Sequence, residues 1–421
     1  DIVEQRSHYD TVAFGGWSLD LHPADGVYSK SKKACNQWHS KGVYPIPYRC
    51  YITPDLDNVF LAGRIISATH IAFASSRVMA TSGAGGEAVG RAAAYCIQNR
   101  CTPADLMDEA RMKEYQQILI REGVYLPQTQ VEYTNDLMQE ADIQTSSELE
   151  LNEIPFDGAW RSLRQSMAQM FPVNEGPMPK VQIRVNVKAV TTLDVELRIS
   201  SKAFNHTPDV TLGVLNLNLE PGEQDVLLGF DAVVPYTCYA FVCLMKNDNI
   251  EVQMSNQLIS GIVSVFNKIV PAVSNWGRQE APVGLGVESF EFWCPERRPN
   301  GQNIAMRINP GLNCFTKENL RNSIYRTVEK PNAWVASFHD KNPTITLSWK
   351  EKKMIRELIL FTDTDYDHPM ESVQWGHHDN KMPYCVDGME IIVDGKVVHT
   401  VTDNYQAIVQ IDFAEKIVAF Q

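Results

Sequence analysis

The sequence predicts a multidomain α/β plus all-β protein: a mixed α/β segment followed by two antiparallel β-sandwiches. Three observations carry that expectation. The pattern changes near residue 172, with short strands and helices before it and strands almost to the end after it. Residues 81–98 are rich in Ala and Gly, with Ala88, Val89, Ala92, Ala93 and Tyr95 spaced as in a tightly packed buried helix. From Val181 the chain alternates apolar and polar residues through Val187, the period of a half-buried strand.

Residues 1–57 read as loops and short strands, at Val12 to Trp17 and Tyr44 to Tyr48. Residues 58–63 form a short apolar run ending in Gly63, the pattern of a buried strand entering a sharp turn. A helix begins near Thr81. Thr102-Pro103 opens another, which runs to about Glu122 and is closed by Gly123. Residues 124–172 contain several prolines and few regular patterns, and read as a connector. The strands Leu193 to Ile199, Thr211 to Leu219, Val226 to Phe230 and Tyr239 to Leu244 complete a first sandwich over residues 173–268. Residues 269–284 are a Pro- and Gly-bearing linker. Residues 285–421 carry a second strand-rich block whose final strand is cut short.

A net charge of −13 excludes broad binding to nucleic acid or anionic membranes, which requires a basic face. No apolar run is long enough to span a bilayer. The polar start at Asp1 has no initiator Met, so a segment directing export would lie outside the sequence; a periplasmic or secreted location is favoured over a cytoplasmic one. Nine cysteines show no zinc spacing. Cys96/Cys101 and Cys238/Cys243 could close disulfides, although small buried thiols are the plainer reading.

The chemistry concentrates in residues 58–98. A turn at Gly63-Arg64 leads into a loop with Ser67, His70 and Arg77, and then into the Gly-rich helix. A helix N-terminus presents unpaired N–H groups and positive partial charge, which suit a phosphate or an electron-rich carbonyl. Ala62-Gly63-Arg64, His70 six residues after Arg64, and the fifteen residues from Arg77 to Gly90-Arg91 resemble the last flavin-contacting segment of the fumarate reductase and succinate dehydrogenase flavoprotein superfamily. Arg64 stands where that superfamily has an acidic residue, and the loop between His70 and Arg77 is three residues longer. The resemblance is closer to bacterial FAD-dependent oxidoreductases of that superfamily. It rests on Gly15-Gly16-Trp17-Ser18, Asp20, His22-Pro23, Pro45-Ile46-Pro47-Tyr48-Arg49, Ser67-Ala68, His70 and Ser76 to Thr81, and covers residues 10–123.

This resemblance implies FAD as cofactor and an incomplete FAD-binding, Rossmann-like domain over residues 1–123. It implies Gly63, Arg64, Ala80, Thr81, Ser82 and Gly83 as cofactor-binding residues. His22, His70 and Arg77 become catalytic candidates acting on a small polar substrate, a sugar or an organic acid, with the electron partner open. Residues 285–421 resemble the discoidin-like, galactose-binding sandwich that often follows in that group. The strand–GxGxxG–helix opening that holds the FAD pyrophosphate is missing. Gly83 to Ala88 matches the letters of that motif, but lies inside the helix and reads as packing. A chain cut at both ends follows, and such a piece alone is expected to purify without flavin.

A reading from another class stands beside it: a non-catalytic, carbohydrate-binding β-sandwich protein with a remnant flavoprotein segment. Trp334, Trp349 and Trp375 would serve it as a glycan-facing surface, against core packing as the plainer reading. Asp363, Asp365 and Asp367 alternate beside His368 but miss the Gly and Glu of a calcium loop, so no metal is assigned. His377-His378-Asp379 reads as a solvated loop cluster.

Overall fold

The computed structural model describes residues 1–30, 35–40, 42–127, 129–202, 207–267, 278–279, 290–295, 302–325, 332–364 and 385–419. The N-terminal unit begins with β1 (Thr11–Gly15), β2 (Leu19–Leu21), β3 (Asn36–Trp38) and β4 (Tyr44–Pro47). These form two antiparallel pairs, β1 with β4 and β2 with β3. The helices are α1 (His70–Ser76), α2 (Met79–Asn99) and α3 (Glu109–Arg121).

Helix α2 buries Thr81, Gly85, Ala88, Ala92, Tyr95 and Cys96, one side of a helix by their three- and four-residue spacing. That side shares a core with Val12 and Ala13 of β1, with Tyr44 and Ile46 of β4, and with Met112, Tyr115 and Leu119 of α3. Two glycines allow the close approach. A Cβ on Gly15 would stand 2.5 Å from the Tyr44 ring, and one on Gly85 would collide with Tyr51. Asp108 caps α3 through the N–H groups of Ala110 and Arg111. Arg100, left-handed at φ 50°, ends α2. Asp10 is fully buried and receives the Nε (2.9 Å) and Nη2 (2.5 Å) of Arg49, which ties the chain start to the turn after β4.

The strand expected over residues 58–63 is absent. Only the isolated bridge Ile52–Phe60 and the bond from Leu61 N–H to the Tyr51 carbonyl (2.8 Å) remain, and a 3-10 turn covers Gly63–Ile65. A strand needs a continuous neighbour for its backbone groups, and the Tyr51-Ile52 segment beside this run makes only these isolated contacts with it. Nor do the described residues of 1–123 contain a parallel sheet; their strands form the two antiparallel pairs above.

Two larger sheets follow. The first has seven strands, in the order Asn303–Ile304, Ile250–Ser255, Lys180–Val187, Met306–Phe315, Leu149–Ile154, with Gly222–Leu228 also on Lys180–Val187 and Trp160–Ser162 on Ile250–Ser255. The second has six: Val210–Leu219, Thr191–Ile199, Cys238–Leu244, Met167–Val173, Val263–Phe266, Cys294–Pro295. One apolar core takes residues from both sheets, including Val181, Ile183, Val185, Leu193, Val195 and Phe171. The period of two sets the faces: Val181, Ile183 and Val185 point inward, while Arg184 reaches across the register to Asp225 at 2.7 Å.

These pairings move the expected boundaries. The connector placed at 124–172 is largely strand from Asp142 onward, and Leu149–Ile154 and Met167–Val173 belong to the two sheets. Residues 303–315, placed in a second sandwich from 285, complete the first sheet instead. Met167–Val173 escapes a periodicity reading because both of its faces are buried. Its outer face, with Tyr239, Phe241, Val263 and Val265, is covered by Trp293. The adjoining Phe292 stacks on His39 of the N-terminal unit at 4.2 Å.

Beyond residue 316 the described strands form antiparallel pairs: Ile345–Ser348 with Asp142–Thr145, Lys353–Phe361 with Ile408–Ala419, and Met389–Val393 with Lys396–Val401. Trp334 donates to the Ser147 carbonyl and Trp349 to the Leu137 carbonyl, so both indoles are fixed internally. Trp375, Asp365, Asp367, His368, His377, His378 and Asp379 lie outside the described residues. Asp363 accepts a hydrogen bond from Ser260. Neither Cys96/Cys101 nor Cys238/Cys243 forms a disulfide. Among the described residues there is no metal-ligating cluster, and no helix is long and apolar enough to cross a membrane.

Candidate active site

The site is built where β2 ends and α1 gives way to α2. Tyr44 and Ser75 are 2.6 Å apart, and the Ser75 hydroxyl donates to the Trp17 carbonyl at 2.5 Å. Tyr44 must therefore be the donor to Ser75. Burial raises the Tyr44 phenol above its ordinary range, so it keeps that proton. This chain of two hydroxyls fixes α1 against the Gly15-Gly16-Trp17 turn. Two residues past Ser75, the backbone releases Arg77 between the helices.

Asp20 receives it. The Arg77 Nη2 donates to the Asp20 carbonyl at 3.3 Å and lies 3.7 Å from Asp20 Oδ2. The same Oδ2 lies 3.6 Å from His22 Nε2. Period-two alternation places Asp20 and His22 on one side of the β2 end, so the spacing itself makes the pair. The Asp20 side chain is 14% exposed, and its Oδ1 is buried without a hydrogen-bond partner. Cys35, just before β3, stands beside the same carboxylate; burial raises its thiol, and the charge of Asp20 and a hydrogen bond to it raise it further. Among the described residues the Arg77 side chain makes no other polar contact, which leaves Nε and Nη1 available.

His70 sits at the other end of α1. Seven helical residues at ~1.5 Å rise put roughly 10 Å between the ends of that helix. His70 is exposed and has no hydrogen-bonding partner among the described residues. The structure thus brings His22 and Arg77 together through Asp20, and leaves His70 apart from them.

Of the residues expected at the cofactor, Arg64, Ala80 and Gly83 are exposed, Gly63 and Ser82 are half-buried and Thr81 is buried. Gly63 has φ +63°, a conformation favouring glycine, and a Cβ there would meet nothing within 4 Å. Arg64 next to it is exposed and has no ion-pair or hydrogen-bond partner among the described residues. Helix α2 packs on this turn. Its N-cap is Val78, which offers no side-chain acceptor, so the N–H groups of Met79, Ala80 and Thr81 are uncapped. Met79 is 90% exposed, Ala80 is exposed, and the buried Ser82 hydroxyl has no partner. The outward positions Gly83, Gly86 and Gly90 open onto space, unlike Gly85.

A long helix with an uncapped N-terminus, a glycine-lined outer side, an arginine without a partner among the described residues and a nearby Asp–His–Arg cluster form features that suit an electron-rich, anionic group. Residues 1–119 match the family of FAD dependent oxidoreductases, a match that ends inside α3 before the large sheets begin. That family binds FAD, and the match supports an FAD-dependent oxidoreductase. No curated protein and no solved structure matches the chain. The residues present fit FAD: Gly63 and Gly83 leave room, while Arg64 and the α2 N–H groups supply the positive field that a reduced flavin requires.

Asp20 and Cys35 had no role assigned from sequence. Asp20 lies within the quoted motif, and its Asp-x-His spacing with His22 is the signal that could have pointed to it.

Proposed function

We propose that residues 1–123 form the substrate-facing part of an FAD-dependent oxidoreductase acting on a small organic acid. The observation that carries this is Arg77, anchored to Asp20 by a single nitrogen with Nε and Nη1 unpartnered among the described residues. A guanidinium edge held in that way matches a carboxylate bidentately. FAD, when bound, supplies the two-electron step. Arg77 orients the acid, and His22 exchanges the proton that accompanies the transfer. Gly63, Arg64 and the α2 start from Ala80 to Gly83 hold the flavin. His70, at the far end of α1, is assigned to the wall on the cofactor side. The cluster's charges favour the organic acid over an uncharged sugar. Residues 1–123 as an incomplete Rossmann-like FAD domain, and residues 317–421 as a discoidin-like module, stand as further parts of this proposal.

The test is anaerobic mixing of the oxidised, flavin-loaded protein with small hydroxy acids and dicarboxylic acids, and with neutral sugars. A carboxylated compound should bleach the flavin absorbance, about a hundredfold more slowly in Arg77→Lys, the loss of roughly 3 kcal/mol. Bleaching by a neutral sugar with no effect of Arg77→Lys would overturn the substrate class.

A further inference from the structure

We propose that Asp20 is the positioning residue of this site, fixing His22 in the tautomer that carries its proton on Nε2. The inference rests on the proposed active site. It adds a residue and a proton position that the site assignment does not contain.

Asp20 Oδ2 faces His22 Nε2 at 3.6 Å and Arg77 Nη2 at 3.7 Å. A carboxylate accepts hydrogen bonds and donates none, so the nitrogen turned toward it is the one that carries hydrogen. The basic lone pair of a neutral His22 is then on Nδ1. At 3.6 Å the contact is longer than a hydrogen bond, and it acts through charge: the carboxylate favours the hydrogen on the ring nitrogen that faces it. Asp20 is itself held firmly. Its main chain pairs with Gln37 across β2 and β3, and its carbonyl accepts from Arg77. Its side chain is mostly buried while one oxygen, Oδ1, has no hydrogen-bond partner. A buried carboxylate oxygen left without a hydrogen-bond partner is costly. Burial of Asp10, another acid in this unit, is by contrast matched by two guanidinium bonds and a backbone N–H from Arg49. Among the described residues, the groups facing Asp20 come from three places: His22 beyond β2, Arg77 between α1 and α2, and Cys35 before β3. One carboxylate thereby sets the geometry of both the proton-exchanging and the acid-binding side chains.

The experiment is long-range 1H–15N correlation NMR of the histidine rings in the 421-residue chain, with His22 assigned by comparison with His22→Gln. The neutral His22 ring should show the Nε2–H pattern in the wild type. In Asp20→Ala both ring nitrogens should shift toward the averaged positions of mixed tautomers. Asp20→Asn, which keeps the side-chain volume, should give a smaller shift in the same direction and answers the question if Asp20→Ala does not fold. A wild-type ring protonated on Nδ1, or a pattern unchanged in both variants, overturns the proposal. A role of Asp20 confined to folding would leave the ring pattern untouched. The measurement uses neither FAD nor substrate, so it succeeds or fails independently of the assignment of Arg77 as the acid-binding group.

Discussion

Asp10 and Arg49 show at the residue scale how the N-terminal unit depends on charge. Burial alone would raise the Asp10 carboxyl, but the hydrogen bonds and charge of Arg49 outweigh that and hold it below its ordinary value. A carboxyl depressed in the folded state stabilises above the unfolded value of about 3.9, and that contribution is lost as pH falls through the folded value. Melting curves from pH 7 down to pH 3 should therefore show a steep acid loss in the wild type. Asp10→Asn should melt lower at neutral pH and lose less on acidification; an identical acid slope would contradict the pair's role. The sequence contained half of this. Arg49 was noted within Pro45-Ile46-Pro47-Tyr48-Arg49, but its partner is 39 residues away, and no local pattern reports a contact at that separation. The Asp20–His22 pair went unread because the strand end that puts both on one side, Leu19–Leu21, is only three residues long. Arg77 joins them only through the packing of α1 on β2.

The glycines of α2 separate two functions at the scale of one element. Gly85 faces Tyr51, so Gly85→Ala forces a clash and should destabilise the chain by about 1–3 kcal/mol in thermal or urea unfolding. Gly83 lies on the same helix with nothing within 4 Å of its absent Cβ. Considered as a helix residue alone, Gly83→Ala should stabilise by roughly 0.5–1 kcal/mol. A helix whose outer side holds three such glycines forgoes that stability at each. Under the proposed function, that space is where the flavin would lie. The extent of α2 was readable from its small residues, and it spans Met79–Asn99 against an expected start near Thr81. The run at residues 58–63 misled because a buried strand and a buried extended loop share the same apolar composition, and only a pairing partner separates them.

The two large sheets and the N-terminal unit are joined across the whole molecule. Phe292 stacks on His39, and Tyr325 donates to the Val124 carbonyl at 2.9 Å while packing on Phe361 at 5.4 Å. Phe292→Ala removes a fully buried ring between the six-stranded sheet and the N-terminal unit, and should cost about 3–5 kcal/mol. Loss of the N-terminal unit's thermal transition ahead of the sheets' transition would mark the interface as the site of damage; an unshifted melt would contradict that placement. Strands with clean alternation were legible along the chain, from Lys180–Val187 to Thr191–Ile199. The boundary of the sandwich was not, because Met167–Val173 is covered on both faces and residues 303–315 return to the first sheet from far along the chain. The central claim is that the open side of α2 is a flavin surface. The most direct test is the FAD content and FAD affinity, read from the visible absorbance spectrum, of the protein expressed from its complete gene, wild type beside Gly83→Ala. The account expects a yellow wild type with one FAD, and a Gly83→Ala variant that melts no lower yet holds FAD at least tenfold more weakly. A colourless wild type, or equal affinity in the two proteins, would contradict it.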